Sequence, residues 1–453
     1  MQTYDTIIIG AGPAGYELAG LLAEGGKQVC LIEKAEQRVG GTCLTEGCVP
    51  AKHFLESAGY IAKASHFESC GVEMRLEYFE IEKLKSSTQS LIEQMQGGIL
   101  TKLLKHKVEI QYGTASFVDG DTIELSESGE RLTADQIIIA TGSRHRDHPT
   151  MPLVEGKILS SREVFKIEHI PMSVLVIGAG AIGCEFATFF HAMGAAVTLA
   201  EYTKAILPIE EADLSRTLKR ELERKGITVH VDAEVTEHSV SEQGVDVQMR
   251  VGKKQVEGSY EMVLIAVGRE PNTASLALEK AGVESERGFV TVDANYQSVS
   301  NSRVYAIGDV IATPALAHVA YYEAKRLSRI LLDQSPMEPS PIFPSVTFTT
   351  PQVASIGASE ATLKAEGRAA KSKKIFFKSN AKAKIKGDDS GFVKVIYDAQ
   401  TQVILGAAII GNDATELIHQ FLIAINKQVT LGEFGEMIFA HPTLSEVIGE
   451  LSH

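Results

Sequence analysis

Two cysteines, Cys43 and Cys48, stand close together in a glycine-rich segment that runs from Gly40 to Lys52. Thiols at this spacing can form a reversible disulfide, bind a metal ion, or lie buried and inert. A structural zinc site would need a second pair of cysteines. The remaining cysteines are scattered along the chain and supply no such pair: Cys30, Cys70 and Cys184. We expect Cys30 and Cys184, which lie in apolar surroundings, to be inert core residues.

The segment that precedes the cysteine pair predicts a nucleotide-binding turn. An apolar, β-branched run, Thr6–Ile9, predicts a buried strand and is followed by Gly10-Ala11-Gly12-Pro13-Ala14-Gly15 and a helical pattern. A second apolar run, Val29–Ile32, ends at Glu33. Glycines let the backbone approach a pyrophosphate, the helix N-terminus supplies amide donors, and the acid can bind ribose hydroxyls. Beside such a site, the pair Cys43/Cys48 is favoured as a redox-active disulfide over two unrelated buried thiols.

The same unit occurs a second time. Val174–Ile177 leads into Gly178-Ala179-Gly180-Ala181-Ile182-Gly183, a helical pattern follows, and Val197–Ala200 ends at Glu201. Glu201 lies 23 positions after Gly178, which is the spacing between the first glycine and the acid of the first unit. The repeat predicts two dinucleotide-binding units, and hence two different dinucleotides.

The residues after the second acid indicate which pyridine nucleotide is bound. Tyr202, Thr203 and Lys204 follow Glu201, and no arginine is among them. A carboxylate accepts hydrogen bonds from a ribose 2′-hydroxyl and repels a 2′-phosphate, which usually needs an arginine. The sequence therefore favours NAD over NADP, and Lys204 is the residue that keeps NADP open.

Composition limits the classes of partner. The chain has 453 residues, of which 44% are hydrophobic and 23% charged, as is ordinary for a globular protein. Its formal charge of −14 argues against nucleic acid and anionic membrane as partners. The start of the chain carries Asp5 and does not resemble a signal peptide, and the longest uncharged apolar stretch is broken by Pro171. Five cysteines, a small and odd number, suit a reducing compartment. We expect a cytoplasmic protein.

Further segments, in order along the chain, resemble the pyridine-nucleotide disulfide oxidoreductase family and, within it, the dihydrolipoamide dehydrogenases. Two of them are similar to the crossovers between the flavin and nicotinamide domains: 137–143 and 264–272. Two resemble the segment that holds the ribityl chain of FAD and the helix start behind it: 304–309 and 315–318. The last, His441-Pro442-Thr443-Leu444-Ser445-Glu446, is similar to a motif near the C-terminus of the lipoamide enzymes.

The resemblance implies the reaction and its catalytic residues. The activity would be the FAD-dependent oxidation of protein-bound dihydrolipoamide to lipoamide, with reduction of NAD⁺ to NADH through the Cys43–Cys48 disulfide. Cys43 would exchange with lipoamide and Cys48 would face the flavin. His441, from the other subunit of an obligate homodimer, would be the base, and Glu446 would orient it. The partner would be a lipoyl-bearing carrier of a multienzyme complex.

The resemblance also implies how the cofactors are held. Lys52 would lie near the flavin and pair with Glu185 from the second nucleotide-binding helix. The residues expected to bind the two dinucleotides are Gly10, Gly12, Pro13, Ala14, Gly15, Glu33, Lys34, Gly41, Thr42, Lys52, Ala115, Thr141, Gly142, Ser143, Gly178, Gly180, Ala181, Ile182, Gly183, Glu201, Val235, Gly268, Asp309, Ala315, Leu316, Ala317 and His318. No metal site is expected.

The resemblance predicts an α/β fold with two Rossmann-like dinucleotide-binding domains and a C-terminal α+β dimerisation domain. The FAD-binding domain would span 1–146 and be completed by 268–336, the NAD-binding domain 147–267, and the dimerisation domain 337–453. A proline-rich linker at 335–341 would mark the last boundary. The segment 54–104 is periodic in leucine and isoleucine, which predicts helices.

Some positions depart from the family pattern. Glu46 puts a negative charge between the cysteines, where it would disfavour a thiolate, and Tyr321 and Tyr322 replace residues that are usually acidic or polar. Ala51 and Phe439 replace a common serine and histidine.

Two other functions remain open. A glutathione-type reductase has the same cysteine spacing but prefers NADPH. A non-catalytic flavoprotein scaffold would not need the full set of catalytic residues found in this chain.

Overall fold

A computed structural model describes residues 2–73, 77–335, 337–338 and 342–452. Residues 336 and 339–341 of the predicted proline-rich linker lie outside the described residues. The helices are α1 (Pro13–Glu24), α2 (Gly41–Glu46), α3 (Cys48–Ala62), α4 (Ala64–Ser69), α5 (Ile81–Lys105), α6 (Ala181–Ala192), α7 (Ala212–Lys225), α8 (Ala317–Leu331), α9 (Glu360–Ala365), α10 (Ala381–Ile385), α11 (Ala414–Asn426), α12 (Leu431–Gly435) and α13 (Glu446–Gly449). None of these described helices is both long and apolar enough to cross a lipid bilayer.

The strands are β1 (Gln2–Ile9), β2 (Val29–Glu33), β3 (Glu109–Tyr112), β4 (Ala115–Phe117), β5 (Thr122–Leu125), β6 (Arg131–Ile139), β7 (Ser143–His145), β8 (Ile158–Ser160), β9 (Ser173–Ile177), β10 (Ala196–Glu201), β11 (Thr228–Val231), β12 (Ala233–Val240), β13 (Val245–Val251), β14 (Lys254–Tyr260), β15 (Met262–Ile265), β16 (Arg269–Pro271), β17 (Ser285–Glu286), β18 (Phe289–Val290), β19 (Val304–Ala306), β20 (Ser345–Thr347), β21 (Gln352–Gly357), β22 (Ala370–Phe376), β23 (Phe392–Asp398) and β24 (Ile404–Gly411). Strands β1, β2, β9 and β10 contain the four apolar runs from which strands were predicted.

The chain divides into two compact units. The first unit comprises Met1–His53, Glu82–Arg146 and Gly268–Pro339. The second unit comprises Phe54–Ile81, Asp147–Val267 and Ser340–His453. The boundaries of the three domains expected from the sequence remain predictions.

The first unit is built on a sheet with the strand order β3-β2-β1-β6-β5-β4, with β19 beside β6. Strands β1, β2, β3, β6 and β19 run parallel, so their carboxyl ends lie at one edge. Ile7 and Ile9 of β1 pack into one buried cluster, and Ile8 packs with Leu18 and Leu22 of α1 in the cluster on the other face. This alternation is what a strand buried on both faces requires.

The second unit contains a parallel sheet of order β11-β10-β9-β15-β8 and a three-stranded antiparallel sheet, β12-β13-β14. Leu175 and Ile177 of β9 share a buried cluster with Val247 and Met249 of β13, so these sheets pack together. The C-terminal part forms an antiparallel sheet of order β20-β21-β24-β23-β22, against which α11 packs around the buried Phe421. Two parallel nucleotide-type sheets and a C-terminal α+β region confirm the predicted fold class.

Candidate active site

The two cysteines lie at the junction of α2 and α3 in the first unit. Cys43 is in α2, Cys48 begins α3, and Gly47 separates the two helices. A Cβ atom at Gly47 would stand 2.7 Å from the carbonyl oxygen of Thr42, so a side chain at this turn would force the backbone apart. The structure records no disulfide between Cys43 and Cys48, and the two side chains are hydrogen-bonded to each other.

The surroundings of Cys43 favour the protonated form of its thiol. A hydrogen bond with Cys48 and burial raise the pKa of the Cys43 thiol above its ordinary value, and the charge of Lys52 offsets this only in part. A thiol must lose its proton before it can act as a nucleophile. Exchange through Cys43 near neutral pH therefore needs a base.

The other cysteines lie apart from this pair. Cys30 and Cys184 are buried in the core, as expected. Burial raises the pKa of Cys30 to about 12 and also raises the pKa of Cys184. Cys70 is exposed. Raised pKa values keep the two buried thiols protonated and unreactive.

The first glycine-rich turn joins β1 to α1. Gly10 has a φ of +106°, and a Cβ at Gly15 would overlap the carbonyl oxygen of Gly10, so the helix starts as close to the strand as backbones allow. Gly41, at the start of α2, faces this turn, because a Cβ there would stand 2.5 Å from the Cα of Gly12. The two glycines leave a bare backbone surface at the N-terminus of α1.

The second turn repeats this geometry in the second unit. Gly178 has a φ of +97°, and a Cβ at Gly183 would overlap the carbonyl oxygen of Gly178. Both Gly12 and Gly180 are extended N-cap residues, and each precedes a helix of 12 residues. The repeat that the sequence shows is therefore also a repeat of backbone conformation.

Both helix starts suit an anion. Neither α1, which begins with Pro13 and Ala14, nor α6, which begins with Ala181 and Ile182, has an acidic residue in its first turn or a side-chain cap. The first amides of each helix are available to a phosphate, and no carboxylate in that turn repels it. The residues of both turns thus fit a dinucleotide.

Glu33 ends β2 at the first turn. Its Oε2 accepts a hydrogen bond from the backbone N–H of Ala11 at 2.8 Å, and its Oε1 accepts one from the backbone N–H of Lys34 at 2.8 Å. Burial raises the pKa of this carboxyl although both hydrogen bonds oppose the shift. The acid therefore ties the strand to the glycine turn at the edge where a ribose would bind.

Glu201 ends β10 in the same way. Its Oε2 accepts from the N–H of Ala179 at 2.7 Å and its Oε1 from that of Thr203 at 2.8 Å. Each acid is thus fixed to the residue after the first glycine of its own turn. The 23-residue spacing seen in the sequence is the chain length that this hydrogen bond needs.

The predicted crossover residues meet in the first unit. Strands β7 and β16 pair in antiparallel orientation. The Thr141 hydroxyl donates to the backbone carbonyl of Asn272 at 2.7 Å, and the side-chain amide of Asn272 donates to the backbone carbonyl of Thr141 at 3.0 Å. The backbone N–H of Asn272 donates to the carbonyl of Gly142 at 2.9 Å. Gly268 accepts from the N–H of Arg146 at 2.9 Å. These bonds fasten the two crossovers to one another.

Asp309 is joined to this crossover. The Ser143 hydroxyl donates a hydrogen bond to Asp309, and Arg269 donates from Nε to the Ser143 hydroxyl at 2.8 Å. Arg269 also lies 3.8 Å from Asp309. The structure thus brings together Ser143 and Asp309, both predicted to bind FAD, and adds Arg269, which the sequence did not assign to the site.

The helix start behind Asp309 forms as expected. Leu316, which follows Ala315, is the N-cap residue of α8, and Ala317 and His318 are its first two residues. The same helix carries Glu323, which is 2% exposed and accepts from the N–H of Gly308 at 2.6 Å. Burial raises the pKa of Glu323. No sequence motif assigns this acid to the site, although a carboxylate on an apolar helix face is a signal that could have identified it.

Four further predicted contacts are spread over several elements. Thr42 lies in α2, Lys34 directly follows β2, Ala115 begins β4, and Val235 lies in β12 of the second unit. No hydrogen bond among the described residues links Val235 to the second glycine turn.

His441 and Glu446 meet in the second unit. The Nδ1 of His441 and Oε1 of Glu446 are 2.7 Å apart, and Oε2 of Glu446 accepts from the N–H of Thr443 at 2.8 Å. These two hydrogen bonds lower the pKa of Glu446, which keeps it ionised. The imidazole side chain is 73% exposed. A ring held at one nitrogen and presented to the surface is suited to accept a proton.

Lys52 and Glu185 belong to different units. Lys52 lies in α3, and its charge acts on Cys43 as described above. Glu185 lies in α6, is 5% exposed, and accepts from the N–H of Phe348 at 2.9 Å. Their pairing remains a prediction.

Glu46 has a partner that the sequence analysis did not foresee. Arg38, in the segment that leads to α2, forms an ion pair with Glu46. The negative charge between the cysteines is therefore balanced, and the expected penalty on a thiolate is reduced.

Comparison with known proteins extends over the whole site. Residues 4–324 match the family model described as pyridine nucleotide-disulphide oxidoreductase, and residues 343–452 match its dimerisation domain. Proteins named dihydrolipoyl dehydrogenase from Chlorobaculum tepidum and from Thermus scotoductus are each 36% identical over 453 residues. The match covers 99% of this chain in both cases, and 96% and 97% of those proteins.

Solved structures of similar proteins match the fold over almost the whole chain. LpdA from Mycobacterium tuberculosis is 26% identical with a TM-score of 0.89, covering 100% of this chain and 99% of that one. The HOCl-induced flavoprotein disulfide reductase RclA from Escherichia coli is 25% identical with a TM-score of 0.88, covering 99% of both chains. The dimerisation domain supports a homodimer. The chain is therefore an oxidoreductase that uses FAD and NAD(H), and it belongs to the pyridine nucleotide-disulphide oxidoreductase family.

Proposed function

We propose that this enzyme oxidises protein-bound dihydrolipoamide to lipoamide and reduces NAD⁺ to NADH. The observation that carries the proposal is the pair Cys43/Cys48, whose side chains are in hydrogen-bond contact at the junction of α2 and α3. The names of the curated relatives support the lipoyl substrate. The partner is then a lipoyl-bearing carrier protein or domain.

The exchange chemistry follows from the thiol pair. A thiolate of dihydrolipoamide attacks Sγ of Cys43 in the oxidised pair, the Cys43–Cys48 bond breaks, and Cys48 leaves as a thiolate. The second lipoyl thiol gives its proton to His441 and attacks the lipoyl sulfur bound to Cys43. Lipoamide leaves as a closed disulfide, and Cys43 takes the electron pair as a thiolate.

The dinucleotides would be held by the residues of the two turns. Gly10, Gly12 and Gly41 leave room for the FAD pyrophosphate at α1, and Asp309 would bind the ribityl chain. Gly178 and the amides of α6 would bind the NAD pyrophosphate. The chemistry that bound FAD supplies is two-electron transfer between the dithiol and the nicotinamide.

Lys52 and Glu185 would form an ion pair near the flavin. Phe54, in the same helix as Lys52, packs against Phe189, in the same helix as Glu185, with ring centroids 5.3 Å apart. Both rings are fully buried. Glu185 is 5% exposed, and a lysine would stabilise a carboxylate at so buried a position, which supports the pairing.

The base would come from the second subunit of the homodimer. His441 lies in the part of the chain that matches the dimerisation domain, and its side chain is 73% exposed. Glu446 fixes the ring at Nδ1 and stabilises the imidazolium that forms on proton transfer. An exposed imidazole is open to a group on the second subunit.

NAD is the proposed electron acceptor in preference to NADP. The Glu201 carboxylate stands at the end of β10, where the adenosine ribose would bind, and would repel a 2′-phosphate. A reducing compartment such as the cytoplasm suits the enzyme, because five cysteines, a small and odd number, do not suit a disulfide-stapled secreted protein.

Steady-state assays of the FAD-loaded protein test the proposal. We expect NADH formation from dihydrolipoamide and NAD⁺, its loss in Cys43→Ser and Cys48→Ser, and a decrease of about 10²-fold or more in His441→Gln. Cys70→Ser, which changes an exposed cysteine elsewhere in the chain, is the matched control and should be unaffected. Undiminished turnover in Cys43→Ser would contradict the thiol mechanism.

The same assay separates the other functions. Faster reduction of glutathione disulfide by NADPH than oxidation of dihydrolipoamide by NAD⁺ would make the enzyme a reductase of another disulfide. The structural similarity to a flavoprotein disulfide reductase keeps this alternative in view. A loaded protein without activity on either substrate would be a scaffold.

A further inference from the structure

Two tyrosines that are 305 positions apart form a pair in the first unit. Tyr16 lies in α1 and Tyr321 in α8, and their hydroxyl groups are hydrogen-bonded to each other. The rings meet edge to face, with centroids 6.0 Å apart and an angle of 65° between their planes. Both side chains are half-buried. This arrangement is the preferred geometry for two aromatic rings and fixes both hydroxyls in place.

The pair lies in the same unit as the dithiol, and Tyr16 is close to the turn at which α2 begins. Tyr16 is one turn into α1, and its N–H donates to the carbonyl of Gly12 at 3.0 Å. Gly12 is the residue that Gly41 approaches, and Gly41 begins the helix that carries Cys43. A charge on Cys43 acts on both tyrosines.

The two phenols remain neutral hydrogen-bond donors. Burial, the bond to Tyr321 and the charge of Cys43 raise the pKa of Tyr16, and burial also raises the pKa of Tyr321. Two hydroxyl groups carry two protons, and their mutual hydrogen bond uses one of them. The second proton is available to another acceptor, and a thiolate is the charged acceptor that the reaction creates nearby.

Other charged groups also act on the dithiol or the tyrosine pair. Lys52 lowers the pKa of Cys43 while Cys48 raises it, and Glu17, which is paired with Lys102 at 3.1 Å, acts on the tyrosines. Arg38 and Glu46 are paired within the segment around α2. In the proposed dimer, the base His441 would be a further group. All of these remain unchanged when only the tyrosine hydroxyls are removed.

We propose that Tyr16 and Tyr321 are a positioning pair that donates a hydrogen bond to the Cys43 thiolate. The inference rests on the proposed exchange role of Cys43. When lipoamide leaves, the bond between Cys43 and the lipoyl sulfur breaks and its electron pair stays on Cys43. The pair stabilises that thiolate by a hydrogen bond and gives up no proton.

The pH dependence of alkylation tests this without lipoamide or NAD. The FAD-loaded protein is reduced with dithiothreitol, freed of it, and treated with iodoacetamide between pH 5 and pH 9, and the modification of Cys43 is followed by peptide mass spectrometry. In Tyr16→Phe/Tyr321→Phe we expect the apparent pKa of Cys43 to rise by about one unit, because a hydrogen bond to a charged acceptor is lost. Below that pKa, Cys43 should react about tenfold more slowly.

Tyr322→Phe is the matched control, since Tyr322 is the next residue in α8 and its hydroxyl donates instead to the carbonyl of Glu338 at 2.6 Å. Its profile should be that of the wild type. The single variants Tyr16→Phe and Tyr321→Phe, which keep both rings, should each shift the profile in the same direction. An unshifted profile in the double variant, or an equal shift in Tyr322→Phe, would overturn the inference. Because the readout needs neither substrate, failure of dihydrolipoamide turnover is a separate result.

Discussion

A buried lysine in the second unit offers a stringent test of how this part of the molecule is held together. Lys394 in β23 is 2% exposed, and its Nζ lies 3.0 Å from Glu211, 3.2 Å from Asp213 and 2.6 Å from Glu360. Glu211 and Asp213 stand at the start of α7, whereas Glu360 begins α9. The lysine thus joins the nucleotide-type region to the C-terminal sheet of the same unit. We expect Lys394→Met, which keeps an unbranched side chain as far as the ε position and removes the charge, to be strongly destabilising.

The magnitude follows from what each carboxylate retains. Asp213 keeps Lys374 at 2.8 Å, and Glu360 is 50% exposed, so water can solvate it. Glu211 is 9% exposed and keeps a hydrogen bond from the N–H of Glu360 at 2.7 Å. Removing one partner of a buried ion pair costs about 3–5 kcal/mol. Because only one of the three acids loses its main compensation, we expect the lower end, about 3 kcal/mol.

Calorimetry of the FAD-loaded protein at one fixed concentration measures this. A loss of about 3 kcal/mol should lower Tm by roughly 6 °C or more if the unit melts cooperatively. In Lys394→Met/Glu211→Gln, the Glu211 carboxylate that loses its partner is also removed. The double variant should therefore lose less stability than the sum of the losses in the two single variants. Lys371→Met, at an exposed position of β22, is the control. The reasoning would be refuted if the stability losses of Lys394→Met and Glu211→Gln simply added in the double variant. It would also be refuted if Lys394→Met had the same Tm as the control.

Three further predictions concern acid stability, cofactor retention and the base. Hydrogen bonds from Lys374 and Lys394 outweigh the effect of burial and lower the pKa of Asp213 from 3.8 to about 2. The contribution of the Asp213 carboxylate to folding stability is therefore present above about pH 4 and is lost as the pH falls toward 2. The difference in Tm between the wild type and Lys394→Met should become smaller over that range. Gly15→Ala should lose FAD on gel filtration, measured by flavin absorbance per protein, whereas Gly183→Ala should retain FAD and lose NADH binding, because each Cβ overlaps its own turn only. Glu446→Gln should slow dihydrolipoamide oxidation by about 10²-fold and alter its pH profile, because it weakens the acceptor for His441; an unchanged profile would contradict the orienting role.

The parts of the site that the sequence predicted are those built from neighbouring residues. The glycines of the two turns, and the acids Glu33 and Glu201, follow from local patterns, since a strand, a turn, a helix and a strand have a nearly fixed length. The structure also explains the equal spacing between the first glycine and the acid in both units. Each acid accepts a hydrogen bond from a backbone amide of its own turn. His441 and Glu446 are five positions apart, and their contact is likewise local.

The parts that the sequence analysis missed join distant segments. Tyr16 and Tyr321 are 305 positions apart, and Lys394 is 183 positions from Glu211. Periodicity shows which face of an element is apolar, but it carries no information about which polar side chains meet across two elements. Arg38 and Glu46 are only eight positions apart, but the turn between them is irregular, so no helix or strand period brings the pair together.

The dithiol and the surface histidine complement each other in charge. The hydrogen bond between the thiols and the burial of Cys43 favour a state with one retained proton, because a second thiolate would lie beside the first. The ion pair between Arg38 and Glu46 offsets a further negative charge beside the dithiol. The reduced pair can therefore keep one negative charge and one proton, and the remaining proton of each turnover must leave through another group. In the proposed dimer, the imidazole of His441, whose other nitrogen is fixed by the ionised carboxylate of Glu446, would carry that proton, so the proposed mechanism needs both the dithiol and the C-terminal pair.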